Sequence, residues 1–345
     1  MANAKFEFIE SMLKKYRDIT SEAMEPFFVI KEPKRYLYDL LPQYPKRGGK
    51  GLRPGLCIAT CRVFGGSTNS AIRSAASLEF FHNMFLIHDD IEDYSEFRRG
   101  KPTLHRRYGT PLAINAGDAM NCLASAPLIE NTDVLGPQLS SEVFYEISHM
   151  VRETVEGQAI ELGWMHDNKI TLTDKDYLRM TLKKTCWYTC IHPCRIGALI
   201  GRGGPENLDV FNKFGYYMGA AFQIQDDVLN LIGEKRKYGK EIGGDIWEGK
   251  RTLVLIHLLN HCTSSEREKI RVFLAKPRDK RLRGEVNWIF NLMIRYGSIK
   301  HAIVSARHLA NEALKEFDIA YKDAVDGEDK RFINGIVHYM IEREL

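Results

Sequence analysis

Residues 71–93 read AIRSAASLEFFHNMFLIHDDIED. Ile72, Ala75, Ala76, Leu78, Phe81, Phe85 and Leu86 recur at three- and four-residue intervals, the period of an amphipathic helix. The run ends in acids, Asp89-Asp90-Ile91-Glu92-Asp93. Residues four apart share one face of a helix, so Asp89 and Asp93 project together from the polar end of an apolar rod. Adjacent ionised carboxylates repel, and burying them costs more still. A bound divalent cation reverses that logic. Taken alone, the five residues read equally well as a solvated helix end.

What surrounds them narrows the reading. Arg98-Arg99-Gly100-Lys101-Pro102 comes within two helical turns of Asp93. Acid followed by base is self-cancelling unless a polyanion lies between them. A diphosphate is such a polyanion, with metal on one side and arginine forks on the other. A second cluster, Asp226-Asp227-Val228-Leu229-Asn230, repeats the arrangement, and Asp226 and Asn230 share a face. Its Ile224-Gln225-Asp226-Asp227 echoes Ile87-His88-Asp89-Asp90, as two facing helices sharing one cavity would. Lys240, Asp245 and Lys250 follow on a glycine-rich stretch. Upstream, Gly48-Gly49-Lys50-Gly51-Leu52-Arg53-Pro54 puts two cations on a glycine loop. Gly244 to Lys250 fits most of a nucleotide phosphate loop, but Arg251 stands where Ser or Thr should bind magnesium and no strand precedes it, so that reading is set aside.

The rest of the chain is helical in pattern. Met1 to Thr20 is amphipathic, Thr173-Asp174-Lys175-Asp176 is a capping start, and Ala302–Ala320 and Val337–Glu344 carry helical spacing. Strand signals are scarce. Short Gly and Pro stretches break the helices at 48–51, 100–102, 201–205 and 239–249. Helices in series with short joints predict an all-α, single-domain helical bundle over residues 1–345. The formal charge of +4 is too balanced to argue for nucleic acid. No apolar run is long enough to cross a bilayer. Seven cysteines show no disulfide framework; Cys186, Cys190 and Cys194 read as small buried residues on one helix rather than a zinc site. The expected setting is cytoplasmic and reducing.

The ordered set of motifs resembles the trans-isoprenyl diphosphate synthase (polyprenyl synthetase) family. The matching residues are Gly-Gly-Lys50-x-x-Arg53-Pro, His82 ahead of His88-Asp89-Asp90-x-x-Asp93, Arg98-Arg99-Gly-x-Pro-x-x-His105, Gly157-Gln158, Lys184-Thr185, Phe222-Gln223-x-x-Asp226-Asp227, Lys240 and Asp245-x-x-x-x-Lys250. The resemblance implies a deep central cavity in the bundle. It implies metal binding by Asp89, Asp90, Asp93, Asp226 and Asp227, with magnesium, about three ions, or manganese as the oxygen-seeking cation. Arg98, Lys184, Lys240 and Lys250 would bind an allylic diphosphate (dimethylallyl, geranyl or farnesyl). Lys50, Arg53, His82 and Arg99 would bind isopentenyl diphosphate. Thr185 and Gln223 would lie near the developing cation, so that Asp89, Asp93, Asp226, Lys184, Thr185 and Gln223 form the catalytic set. A homodimer is implied as well. His88 beside the metal cluster reads as a packing or hydrogen-bonding residue. Two positions depart from the pattern: Asn230 stands in place of an Asp, and Glu161 stands where Asp usually follows Gly-Gln.

The family sets product length with bulky residues below the first cluster. Phe85 lies roughly 6 Å down the helix from Asp89 on nearly the same face, Met84 is turned aside, and Phe81 lies about another turn down. Ordinary core packing would look identical. The expected product is geranylgeranyl diphosphate (C20), with farnesyl diphosphate (C15) the alternative. Two readings of other classes are a terpene cyclase and a non-catalytic subunit of a heteromeric synthase. A cyclase would carry a different second motif and have no use for Lys50, Arg53 and His82; a non-catalytic subunit would have lost one cluster.

Overall fold

Ser67 caps the helix foreseen around residues 71–93. Its hydroxyl accepts from the Ser70 amide at 3.1 Å, and the helix runs Thr68–Glu92 with Asp93 at its C-cap. The structure is a computed structural model describing residues 2–233 and 243–342. Its helices, in chain order, are α1 (Ala2–Met24), α2 (Leu52–Val63), α3 (Thr68–Glu92), α4 (Leu104–Tyr108), α5 (Thr110–His166), α6 (Asp174–Thr181), α7 (His192–Arg202), α8 (Val210–Ile232), α9 (Gly244–Glu248), α10 (Leu253–His261), α11 (Ser264–Leu274), α12 (Arg283–Arg295), α13 (Ser298–Ala320) and α14 (Glu328–Glu342). The all-α expectation holds.

The apolar residues of α3 were read as one stripe, but the helix is wrapped on nearly all sides by α2, α5, α1 and α7. Its small polar residues are therefore paired within the core: Ser77 donates to the Ala124 carbonyl at 2.7 Å, and Asn131 donates to Ser74 at 3.0 Å. Elsewhere α8 packs along α13, and α2 along α7. The long α5 is two helices in line, broken at Gly136 (φ 76°, ψ 165°) before Pro137.

Two local features were not foreseen. Leu182–Ile191, between α6 and α7, is π-helical. This wider turn swings Lys184 and Thr185 toward the centre, where π-helical segments commonly serve function. Two glycines let neighbours approach it: a Cβ on Gly157 of α5 would lie 2.1 Å from the Lys184 nitrogen, and one on Gly219 of α8 would lie 2.9 Å from the Cys186 Cα. The second feature is a ribbon of β1 (Phe97–Arg98) and β2 (Lys101–Pro102), paired antiparallel with Arg98 opposite Lys101. Its central residues, Arg99 (φ 52°) and Gly100 (φ 73°), are both left-handed, as a two-residue hairpin of the I′ type requires.

Among the described residues no helix is long and apolar enough to cross a membrane. Cys186, Cys190 and Cys194 are buried, as expected.

Candidate active site

Helices α3 and α8, the π-helical segment, the 47–51 loop and the first turn of α2 surround a cavity of ≈ 830 Å³. Asp89 at the end of α3 and Asp226 near the end of α8 both line it. The second aspartate of each pair is used differently. Asp90 is fully buried and off the cavity. It accepts from the Tyr44 hydroxyl (2.5 Å) and from Arg98 Nε (3.0 Å). The expectation that Asp90 ligates metal is therefore corrected: one residue along a helix is a rotation of about 100°, which turns this carboxylate into the protein. Asp227 reaches the cavity edge, but Tyr177 donates to Oδ2 (2.7 Å) and Gln223 to Oδ1 (2.8 Å). Burial, with the nearby Asp245, raises its pKa to about 8.

The cations stand against these acids. Arg98 reaches Asp89 Oδ2 at 3.3 Å as well as Asp90. Lys184 donates to Asp89 at 3.2 Å and pairs with Glu161. Burial works against the Lys184 charge, yet Glu161 and Asp89 outweigh it and hold the ammonium above its usual range. Glu161 is thus the lysine's counter-ion, which its place in the sequence did not reveal. Lys250 lies 2.6 Å from Asp93 and 3.3 Å from Glu248. Asp93 is buried against this lysine rather than on the cavity lining. Burial and the Asp89 charge push its pKa well up. Asn230 spends its side-chain oxygen on the Asp245 amide at 3.0 Å, fixing the strand of chain that leads to Lys250. Lys240 lies outside the described residues.

A second set of basic residues lines the same cavity, the cations Lys50, Arg53 and Arg99 with the imidazole of His82. Arg53 donates to Thr189 at 2.8 Å and lies over the Tyr188 ring at 4.1 Å. Burial, then Arg53 and Arg99, push the His82 pKa well down, so the imidazole is neutral. Its Nδ1 and the Arg53 Nε are buried without a hydrogen-bond partner among the described residues. Unmatched buried polar atoms of this kind point to a missing hydrogen-bond partner. His88 packs on Gly117, where a Cβ would meet its Nε2 at 2.2 Å, in keeping with a packing residue.

Between the two groups Thr185 donates to the Gln223 carbonyl at 3.0 Å, and both line the cavity. Phe85 forms part of the apolar wall and meets Tyr188 edge-on at 5.4 Å. Met84 lines the cavity too, although it was expected to turn aside. Phe81 does not line it and is buried behind. Other wall residues escaped the sequence reading: Tyr177, Met180 and Tyr188, and Ile336, Tyr339 and Met340 of α14. Phe222 was legible, since it stands four residues before Asp226 as Phe85 does before Asp89.

Among the described residues no three His, Cys, Asp or Glu side chains converge to cage a metal by themselves. Magnesium needs no such cage: it takes one or two carboxylates and completes its shell with phosphate oxygens and water. Asp89 and Asp226 on one cavity, ringed by lysine and arginine, suit that requirement and do not suit structural zinc.

Comparison with known proteins agrees with this geometry. Residues 34–293 match the polyprenyl synthetase family. A geranylgeranyl diphosphate synthase of Saccharolobus solfataricus is 31% identical over 80% of this chain and 82% of its own length. The crystal structure of a geranylgeranyl pyrophosphate synthetase from Pyrococcus horikoshii superposes with a TM-score of 0.86 at 30% identity, covering 99% of this chain and 100% of that one. A geranylgeranyl pyrophosphate synthase from Corynebacterium glutamicum, complexed with isoprenyl diphosphate and magnesium, superposes with a TM-score of 0.82 at 25% identity, covering 97% and 99%. The chain belongs to the polyprenyl synthetase family and is a trans-prenyltransferase acting on isoprenyl diphosphates.

Proposed function

We propose that this enzyme condenses isopentenyl diphosphate with an allylic diphosphate and that geranylgeranyl diphosphate is its main product. The observation that carries the reading is one cavity bearing two groups of basic residues, Arg98, Lys184 and Lys250 beside the aspartate pairs, and Lys50, Arg53, His82 and Arg99, whose neighbouring acid is Glu79. Magnesium held by Asp89 and Asp226, with Asp93 freed from Lys250, would supply charge that favours departure of the allylic diphosphate. Arg98, Lys184 and Lys250 bind the same leaving group and stabilise its growing charge. Thr185 and Gln223 turn their oxygens to the carbon that becomes cationic. The apolar wall excludes water from that carbon. Lys50, Arg53, His82 and Arg99 hold isopentenyl diphosphate so that its double bond meets the cation. Neutral His82 donates through the Nδ1 that lacks a partner. The departing diphosphate takes the proton.

The volume of ≈ 830 Å³ lies toward the upper end of the range of about 300–1,000 Å³ usual for small-molecule sites. That is room for two substrates and a chain of intermediate length. Phe85 and Met84 form the floor. A homodimer is supported by the outer face of α5, where Phe144, Tyr145 and Val155 are exposed and Val155 also borders the cavity.

The test is mass analysis of the product made by the purified chain with magnesium, isopentenyl diphosphate and each allylic primer in turn. A C20 product is expected. A C15 end product would favour the farnesyl alternative, and a dominant product of C30 or longer would overturn the length assignment. Release of a hydrocarbon without consumption of isopentenyl diphosphate would mark a cyclase. Inactivity of the chain alone would mark a non-catalytic subunit.

A further inference from the structure

We propose that Tyr44, a residue outside every motif read in the sequence, is a positioning residue that sets the two diphosphate-binding arginines through two different parts of itself. The proposal rests on the reading of Arg98 and Arg99 as ligands of the allylic and isopentenyl diphosphates.

Tyr44 is 1% exposed and lies between the cavity loop and the ribbon. Its hydroxyl donates to Asp90 Oδ2 at 2.5 Å and accepts from the Leu104 amide at 3.4 Å. Asp90 in turn takes Arg98 Nε and Nη2, so the phenol fixes the carboxylate that fixes the guanidinium. The Arg98 Nη1 makes no hydrogen bond among the described residues, and Arg98 lines the cavity. The backbone carbonyl of Tyr44 accepts from Arg99 Nη1 at 3.5 Å. Its ring carries the Arg47 guanidinium at 4.4 Å, and Arg47 donates to the carbonyls of Arg98 (3.2 Å) and Pro102 (2.8 Å), one on each strand of the ribbon.

The chemistry suits the task. A phenol holds a carboxylate without cancelling its charge. Asp90 and Arg98 therefore neutralise each other inside the protein. Burial and the Asp90 charge keep the phenol protonated. A lysine here would compete with Arg98 for Asp90.

Of the two arginines the hydroxyl serves only Arg98, through Asp90, while also taking the Leu104 amide; the ring, through Arg47, serves the backbone of the whole hairpin. Steady-state kinetics on the full-length enzyme with magnesium, varying each substrate separately, distinguish the two. Tyr44→Phe is expected to raise KM for the allylic diphosphate about tenfold and to leave KM for isopentenyl diphosphate within about twofold. Arg47→Met is expected to raise both. Circular dichroism checks that each variant is folded. A Tyr44→Phe enzyme that shifts both constants equally, or neither, overturns the proposal, as does an Arg47→Met enzyme with both unchanged. A wild-type enzyme that consumes no isopentenyl diphosphate with any primer removes the underlying reading instead, so the two failures are distinct.

Discussion

The ends of α3 and α8 carry the same lettering, Phe-x-Ile-x-Asp-Asp, at Phe85–Asp90 and Phe222–Asp227. In both, the phenylalanine and the first aspartate line the cavity. In both, a tyrosine hydroxyl holds the second aspartate, Tyr44 on Asp90 and Tyr177 on Asp227. The difference lies in the second partner. Asp90 has a buried arginine, whereas Asp227 has the neutral amide of Gln223. A repeated motif has thus been given one shared job, presenting Asp89 and Asp226, and two distinct supporting jobs. Asp90 anchors a cation; Asp227 orients an amide that reaches Thr185.

Stability should show the contrast most strongly. Asp90→Asn leaves the Arg98 charge buried without its main counter-ion, a change expected to cost about 3–5 kcal/mol. Asp227→Asn removes no buried charge pair and is expected to cost about 1 kcal/mol. Urea unfolding of both variants measures this. Equal losses would break the comparison.

Activity should reverse the order of importance. Asp89→Asn and Asp226→Asn each remove a carboxylate that lines the cavity, and each should lower kcat/KM about 10²–10³-fold while leaving the unfolding midpoint little changed. Product formation with magnesium present is the measurement. Near-normal turnover in either variant would mean that the cavity needs one pair and not both.

The two supports also differ in how they answer to pH. Asp227 has its pKa raised from 3.8 to about 8, chiefly by burial and then by Asp245. A carboxyl raised in the fold keeps its proton where the unfolded chain has already lost it. This contribution to stability is therefore whole below pH 3.8 and is lost as pH rises toward about 8. Asp93, raised by burial and by Asp89, adds in the same direction. In metal-free buffer the wild type should lose about 3–4 kcal/mol between pH 5 and pH 8 from Asp227, with Asp93 adding to the loss. Asp227→Asn should lessen that slope, and magnesium with inorganic diphosphate should flatten what remains, because a cation favours the ionised acids. Unfolding curves at several pH values check it; an identical slope in the variant would show that Asp227 is ionised throughout.

Much of this was legible in the sequence because helices write their period into it. The 3.6-residue repeat gave the all-α class, the capping residues at Thr173 gave a start that the structure reproduces as a capping box, and the acid–base order around Asp89 gave a polyanion site. Contacts between distant segments left no such trace. Tyr44 and Asp90 are 46 residues apart, and nothing local links them. Lys184 and Glu161 meet because a π-helical segment passes over Gly157, and a π-helix has no composition of its own. The rotation that turns Asp90 inward was available from helix geometry, but which of two adjacent acids faces the cavity depends on neighbours that the local pattern does not name.

The smallest effect expected concerns the paired phenylalanines. If the cavity were symmetric about its two acid pairs, Phe85→Ala and Phe222→Ala would both deepen it. Their surroundings differ. Phe85 packs on Tyr188 beside Met84, and these side chains close the apolar end. Phe222 sits next to Gln223, whose amide is tied to Thr185 and Asp227, so space opened there lies against polar groups. A growing hydrocarbon gains by entering the first space and not the second, since each buried methylene is worth about 0.8 kcal/mol only where its new surroundings are apolar. Phe85→Ala should therefore move the main product up by one five-carbon unit, and Phe222→Ala should slow turnover without lengthening it. Product mass spectra of the two variants decide. Equal lengthening would show that both phenylalanines floor the cavity, and no lengthening in either would place the floor deeper, among residues such as Met180 on α6.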